Sequence, residues 1–176
     1  MKRPQPTAPQ KFFGKYRGQV TNNVDPMQIG RVTLQVPDVL GETPSSWALP
    51  CLPVAGPQAG IFAVPLIGAS VWVEFEQGNP DYPIWVGGFW KSAADLPPAA
   101  QQAAPTDSGI TLQTPLQNGI TLSDLPGPGG GIILKSAGGA SVIVNDTGIY
   151  LQNGKGATIT LAGPEVSINS DALVII

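Results

Sequence analysis

The C-terminal part of the chain, residues 109–176, alternates apolar and polar residues in short segments that turn residues separate. Gly-Ile-Thr-Leu occurs at 109–112 and again at 119–122, and six related segments follow, at 132–135, 141–144, 149–152, 157–161, 166–169 and 172–176. Asn-Gly, Gly-Gly and Gly-Pro pairs between the segments supply tight turns at little steric cost. This alternation, repeated about every eight to twelve residues, predicts a ladder of eight short β-strands.

One face of this ladder is apolar, and the other carries Thr, Ser, Gln and Asn. A single sheet of such short strands cannot bury its own apolar face, and repeats of this kind become stable when a neighbour closes the core. Three copies closed into a triangular prism bury all three apolar faces, so we predict a homotrimer. A monomeric solenoid or half of an ordinary sandwich remains the alternative. The predicted core of the prism consists of ten residues: Ile110, Leu112, Ile120, Leu122, Ile149, Leu151, Ile159, Leu161, Val166 and Ile168.

Strand patterns of a different kind occupy residues 12–90. Strands are predicted at 13–20, 30–36, 47–53, 71–75 and 83–90, with Val32, Leu34 and Val36 pointing inward. About five strands without any helical period suit a small closed barrel such as the OB-fold. We therefore predict an all-β fold class, with an N-terminal OB-fold barrel and a C-terminal trimeric β-prism.

Two polar segments complete the predicted domain organisation. Residues 1–11 are rich in proline and glutamine and are interpreted as an N-terminal arm. Residues 91–108 are rich in alanine, proline and glutamine and predict a semi-extended linker. The barrel and the ladder then occupy residues 12–90 and 109–176.

The amino-acid composition excludes most kinds of catalytic site. The chain has no histidine and a single cysteine, Cys51, so histidine-based catalysis, histidine metal sites and intrachain disulfides are excluded. Cys51 is expected in the core. Asp124, Asp146 and Asp171 fall at turns, where aspartate is common, so no paired catalytic carboxylates are predicted. We expect a protein that is not an enzyme and that needs no cofactor and no metal.

Charge and hydropathy indicate where the chain resides and what it contacts. Nine basic and twelve acidic residues argue against nucleic acid as a partner. The positive charges cluster near the N-terminus, and we predict that Lys11, Lys15, Arg17 and Arg31 face an acidic protein partner. Because the sequence shows neither a signal peptide nor a transmembrane segment, we expect synthesis in the cytoplasm.

Several separated motifs resemble the OB-fold domain of spike proteins from contractile injection machines, a family that includes phage baseplate assembly protein V and VgrG. The motifs occur in the order of that family and cover roughly residues 12–90. They are Tyr16-Arg-Gly-x-Val20, Asn23-x-Asp-Pro26, Gly30-Arg-Val32, Val36-Pro37, Gly68-x-x-Val71-x-Val-x-Phe75, Gly78-Asn-Pro-Asp81 and Pro83-x-x-Val86-Gly87.

The resemblance implies a central spike of a phage tail, tailocin or related particle. In this family the barrel continues into an intertwined trimeric β-helix that is driven mechanically through a target membrane. A separate hub protein at the barrel and a PAAR-type tip protein at the far end are implied. The predicted tip-docking residues are Leu173, Val174, Ile175 and Ile176.

One alternative function stays open at this point. OB-folds also bind nucleic acid or glycans, often by stacking bases or sugars on exposed aromatic side chains. Trp72, Trp85 and Trp90 would serve such a site, whereas in a spike they would pack between protomers or against the hub. The Asp25–Arg31 neighbourhood has the same two interpretations, a binding site or a structural ion pair.

Overall fold

The computed structural model describes residues 10–101, 109–170 and 172–175, with only the backbone described for Val174. Most of the predicted arm, residues 102–108 of the predicted linker, Asp171 and Ile176 therefore lie outside the described residues. The chain divides into two units, Met1–Lys91 and Ser92–Ile176. We call them the barrel unit and the sheet unit.

The barrel unit contains seven strands and one short α-helix among its described residues, besides a 3-10 turn at Glu76–Gly78. In chain order these are β1 (Tyr16–Asn22), β2 (Thr33–Gln35), α1 (Pro37–Leu40), β3 (Leu49–Pro50), β4 (Ala55–Gly56), β5 (Ala59–Gly60), β6 (Ser70–Phe75) and β7 (Pro83–Gly88). Five of the strands form one sheet in the order β2-β1-β6-β7-β3, and β4 and β5 form a separate hairpin.

The five-stranded sheet closes on itself. Its two end strands, β2 and β3, are preceded by Val32 and Ala48, which form an antiparallel bridge with N–H···O distances of 3.2 and 2.8 Å in the two directions. β3 also runs parallel to β7, which is its other neighbour. The result is the small five-stranded barrel that the sequence predicts.

Alternation along β2 and β6 fills the barrel interior. Val32, Leu34, Val36, Val71 and Val73 are completely buried, as the period of two requires. The ring of Trp85 completes this core, and its Nε1 donates to the carbonyl oxygen of Gly30 at 3.1 Å. Two expectations were wrong here, because Trp85 lies inside the barrel whereas Cys51 is exposed.

The sheet unit is an antiparallel meander of eight strands. They are β8 (Ile110–Gln113), β9 (Gly119–Ser123), β10 (Gly131–Lys135), β11 (Ala140–Asn145), β12 (Gly148–Asn153), β13 (Thr158–Ala162), β14 (Glu165–Ile168) and β15 (Leu173–Ile175). Each strand pairs with the next along the chain, so the order in space is the order in sequence. The prediction of eight short strands is confirmed, and with it the all-β class.

Gly131 is one of several glycines in the sheet unit that cannot be replaced without moving the backbone. Gly131 opens β10 with φ of 90°, and a Cβ atom added there would lie 2.1 Å from the carbonyl oxygen of Val144. Only a residue without a side chain fits this approach of β10 to β11.

The described part of the predicted linker is not extended. It forms a 3-10 turn at Ala93–Asp95 and a short helix, α2, at Pro98–Gln101. The side chain of Gln101 donates to the carbonyl oxygens of Ala93 and Leu96, which ties the two turns together. The N–H of Ala99 donates to Oε1 of Gln113 at 3.2 Å and attaches α2 to the sheet unit. Within the described residues, no helix is long and apolar enough to cross a membrane.

Candidate assembly surface

Strand register arranges the apolar side chains of the sheet unit into two continuous columns, each with one residue from every strand. Opposite residues in antiparallel strands lie side by side, so every step from one strand to the next keeps both columns intact. The first column is Ile110, Leu122, Ile132, Val144, Ile149, Leu161, Val166 and Ile175. The second column is Leu112, Ile120, Leu134, Val142, Leu151, Ile159, Ile168 and Leu173.

These columns form an apolar face that a single chain leaves uncovered. Thirteen of their members are exposed, by 36% to 65%, and Val142, Val166 and Ile168 are half-buried. Burying a Leu or Ile side chain completely stabilises by about 1.5–3 kcal/mol, so covering the exposed half of each contributes on the order of 1 kcal/mol per residue. An uncovered apolar face of this length marks a protein interface.

The ten predicted core residues all lie in these columns, which confirms the alternation but not their role in an assembly. The columns also contain Ile132, Leu134, Val142 and Val144 of the middle strands, which the prediction omitted. Two residues predicted for tip docking, Leu173 and Ile175, are the last members of the columns and lie on the same face. The backbone of Val174 pairs with Ser167 of the opposite face, and Ile176 lies outside the described residues.

The opposite face of the sheet is largely polar and its side chains bond to one another. Gln152 donates to the hydroxyl of Ser141 at 2.8 Å, and the hydroxyls of Thr147 and Tyr150 are also 2.8 Å apart. Among the side chains that the structure describes on this face, Ile133 and Ile143 are large apolar exceptions, and both line a shallow cavity beside Pro98 and Ala99. This face is suited to solvent.

Asp146, a carboxylate of the sheet unit, has a structural role. Asp146 accepts a hydrogen bond from the N–H of Gly127 with both oxygens, each at 3.0 Å, and thereby fixes a turn. Among the described residues, no group of three or more His, Cys, Asp or Glu is placed to hold a metal ion.

Three of the four cations predicted to face a partner are engaged within the barrel unit. Lys15 forms an exposed ion pair with Glu74. The guanidinium of Arg17 lies over the rings of Trp72 and Phe89, 5.4 and 5.2 Å from their centroids. These two pairs stabilise little and do not prevent contact with a partner. Lys11 lines a shallow surface depression with Glu76 and Tyr82.

Arg31 differs because its partner is buried. Its Nε and Nη2 both donate to Oδ1 of Asp25, at 3.0 and 2.7 Å, and only 17% of its side chain is exposed. The N–H groups of Met27, Ile29 and Arg31 also donate to the Asp25 carboxylate, at 2.9, 3.0 and 3.2 Å. The bond from the Arg31 side chain holds the pKa of Asp25 well below its usual range, with the backbone bonds acting in the same direction and burial opposing them.

This cluster favours the structural interpretation of the Asp25–Arg31 neighbourhood. The carboxylate is saturated with donors from its own loop, so nothing remains on it for a ligand. The aromatic residues that the alternative function needs are also occupied, because Trp85 is in the core and Trp72 packs on Phe89 with centroids 4.7 Å apart. Of the three, Trp90 alone is largely exposed.

Comparison with known protein families matches both units. Residues 16–90 match the family described as the type VI secretion system/phage-baseplate injector OB domain. Residues 109–174 match the phage baseplate V C-terminal trimerisation domain, which supports a homotrimer. No curated protein matches the chain. With both domains present in this order, the chain belongs to the baseplate V family of injector spike proteins.

Proposed function

We propose that this protein is the central spike of a contractile injection machine, a homotrimeric needle that links a hub to a tip protein. The observation that carries the proposal is the pair of unbroken apolar columns on the sheet unit, uncovered in one chain. The same residues match a trimerisation domain, which supports a trimer in which three copies of the chain cover one another's apolar columns.

The geometry of the columns suits a triangular prism. Each sheet is two apolar residues wide, so three sheets facing a common axis place six apolar side chains at each level and leave the polar faces outside. Every strand in such an intertwined prism has its backbone paired or shielded, and three chains share any axial load. A needle of this construction resists unfolding while sheath contraction drives it through a target membrane.

The ends of the spike would carry its partners. At the barrel unit, Lys11, Lys15 and Arg17 offer positive charge to an acidic hub surface. Arg31 contributes less to this surface, because Asp25 neutralises it. At the sheet unit, Leu173 and Ile175 are about half exposed and would continue the prism core into a PAAR-type protein. Val174 and Ile176 are the other two residues predicted for tip docking.

The work of this chain is mechanical, and no bond is made or broken by it. Location follows from the role: the chain is made in the cytoplasm and assembled into the baseplate of a phage tail or injection particle.

The experiment that tests the proposal is the absolute mass of the full chain, by light scattering on a sizing column at low and high salt. Apolar columns predict a trimer that persists in high salt, because screening weakens charge contacts and not apolar burial. A monomer at both salt concentrations would overturn the proposed trimeric spike.

A further inference from the structure

Arg17 lies on a small aromatic platform on the outer surface of the barrel unit. β1 pairs with β6 so that Arg17 stands opposite Trp72, and the N–H of Phe89 donates to the carbonyl oxygen of Ser70, two residues before Trp72 on β6. The rings of Trp72 and Phe89 pack with their centroids 4.7 Å apart, and the central guanidinium carbon of Arg17 lies 5.4 and 5.2 Å from those centroids. We call Arg17, Trp72 and Phe89 the Arg17 platform.

The guanidinium of Arg17 keeps its N–H donors available for a partner. Across the part of the chain that the structure describes, no hydrogen bond or ion pair reaches the Arg17 side chain, and the residue is exposed. The acidic residue nearest to it along β6, Glu74, is already paired with Lys15. Arg17 therefore presents an uncompensated positive charge and a planar fork of donors.

A guanidinium held in this way fits a carboxylate. Its planar fork donates two parallel N–H···O bonds to the two oxygens of one carboxylate, which a lysine ammonium cannot do. The two rings already hold the side chain, so binding costs less rotamer entropy than it would at a free surface arginine. The rings also provide apolar area beside the charge, and tryptophan and arginine are enriched among the residues that dominate a protein interface.

The neighbouring charges favour one carboxylate over a chain of phosphates. Lys15 and Glu74 form a neutral pair beside the platform, so the site carries a single net positive charge. Nucleic acid binds along stripes of several cations, with bases stacked on open aromatic faces. Here the guanidinium lies over both rings, and the charge of Glu74 repels further phosphates. A single acidic side chain of a protein is the anion that matches this surface.

We propose that the Arg17 platform is a carboxylate-binding site, and that an Asp or Glu side chain of the hub protein occupies it in the assembled particle. The inference rests on the proposed function, which brings an acidic hub to the barrel unit, and it goes further in two respects. It makes Arg17 the anchoring cation of that contact. It also makes the fork and the stacking of Arg17, rather than positive charge alone, the basis of recognition. Lys11 and Lys15 then contribute only long-range attraction.

The site is tested first without a hub, on the full chain with isotope-labelled tryptophan. The probe is N-acetylglutamate methylamide, and its glutamine counterpart, which lacks the charge, is the control ligand. The indole N–H resonance of Trp72, assigned from Trp72→Phe, is followed by NMR during each titration. We expect only the glutamate compound to shift this resonance, and Arg17→Lys to weaken its binding at least about fivefold. Lys15→Met removes a charge but not the fork, so as the matched control it should stay within about twofold of wild type.

The hub contact is tested with the purified hub protein of the same particle, by calorimetry on the same variants. We expect Arg17→Lys to weaken hub binding at least about tenfold and Lys15→Met to weaken it less than about twofold. One Asp or Glu of the hub should lose the same factor when it is changed to its amide, and that loss should not add to the loss from Arg17→Lys. Light scattering on each variant checks that the trimer is retained.

The outcomes separate this inference from the proposed function. A Trp72 resonance that ignores the glutamate compound, or that responds equally in Arg17→Lys, overturns the inference and leaves the spike intact. The same follows if Lys15→Met weakens hub binding more than Arg17→Lys does, because charge alone then decides. A single-stranded oligothymidylate that shifts the Trp72 resonance at lower concentration than the glutamate compound overturns the inference in favour of nucleic acid. A monomeric chain that binds no hub overturns the proposed function, and the inference falls with it even where the glutamate compound binds.

Discussion

Arg31 donates two hydrogen bonds to a single oxygen of Asp25, Oδ1, at 3.0 and 2.7 Å. Oδ2 of the same carboxylate accepts from the N–H groups of Ile29 and Arg31. The carboxylate thus holds the loop between β1 and β2 in its conformation, and that conformation depends on the negative charge of Asp25. That loop carries three exposed apolar side chains, Val24, Met27 and Ile29.

Asp25→Asn is therefore expected to lower the stability of the barrel unit at neutral pH. The bonds from Arg31 and the backbone depress the pKa of the folded carboxyl group, so the charged form stabilises the folded state. In the wild type this contribution is complete above the unfolded pKa of about 3.9 and is lost as the pH falls toward the lower folded pKa. Urea unfolding at pH 7 and at pH 3, followed by tryptophan fluorescence, measures the free energy of unfolding at each pH.

The matched control is Asp81→Asn, which changes an exposed aspartate on the same unit. We expect the difference between wild type and Asp25→Asn to be larger at pH 7 than at pH 3, and Asp81→Asn to stay near wild type throughout. Equal stability of Asp25→Asn and wild type at pH 7 would show that the cluster does not hold the loop.

The sequence predicted the sheet unit well because its information is local. A period of two assigns each residue of a strand to a face without knowledge of distant contacts, and connections of two to seven residues leave only one simple topology, the meander. Ile132 and Leu134 were omitted because Ile133 between them is also apolar, so β10 alone does not reveal which face is inside. The pairing of Ile132 with Leu122 and Val144 decides it.

The barrel unit was harder because its structure depends on contacts between distant residues. Closure depends on the bridge between Val32 and Ala48, two residues that carry no special signal in sequence. The burial of Trp85 depends on the carbonyl oxygen of Gly30, 55 positions earlier. A tryptophan in an alternating strand gives no local sign of such a partner.

Ile159→Asp should prevent trimer formation. Ile159 lies in the second column between Leu151 and Ile168, so a trimer would bury three carboxylates around its axis, and the penalty is several kcal/mol for each ion. Thr160→Asp, one residue along the same strand, faces away from the columns and serves as the control. Light scattering should give a smaller mass for Ile159→Asp and a trimer for Thr160→Asp. A well-folded Ile159→Asp trimer is incompatible with the prism.

If the tip protein docks on the sheet unit, the last residues of the two columns should be required for its binding. Leu173→Ser combined with Ile175→Ser keeps the backbone of β15 and removes the last apolar pair. We expect an intact trimer, because β15 is one strand of eight and contributes little to assembly. We also expect that this trimer no longer retains a PAAR-type protein in a pull-down, because β15 supplies all of the terminal apolar surface. Gln113→Ser, in the strand at the other end of the sheet, is the control. Unchanged retention by the double variant would place tip docking elsewhere.

Gly131→Ala tests the close approach of β10 to β11. Gly131 and Gly156 both have positive φ, 90° and 101°, but a Cβ atom at Gly156 would meet nothing within 4 Å. Gly156→Ala should therefore carry only the cost of a strained backbone, about 1–3 kcal/mol per chain. Gly131→Ala adds a clash with the carbonyl oxygen of Val144, which β10 can relieve only by moving away from β11 and breaking the register of both columns. Thermal unfolding of the two variant trimers should show a clearly lower Tm for Gly131→Ala. Equal Tm values would mean that β10 shifts at no cost and that the register of the columns at this strand is not required for assembly.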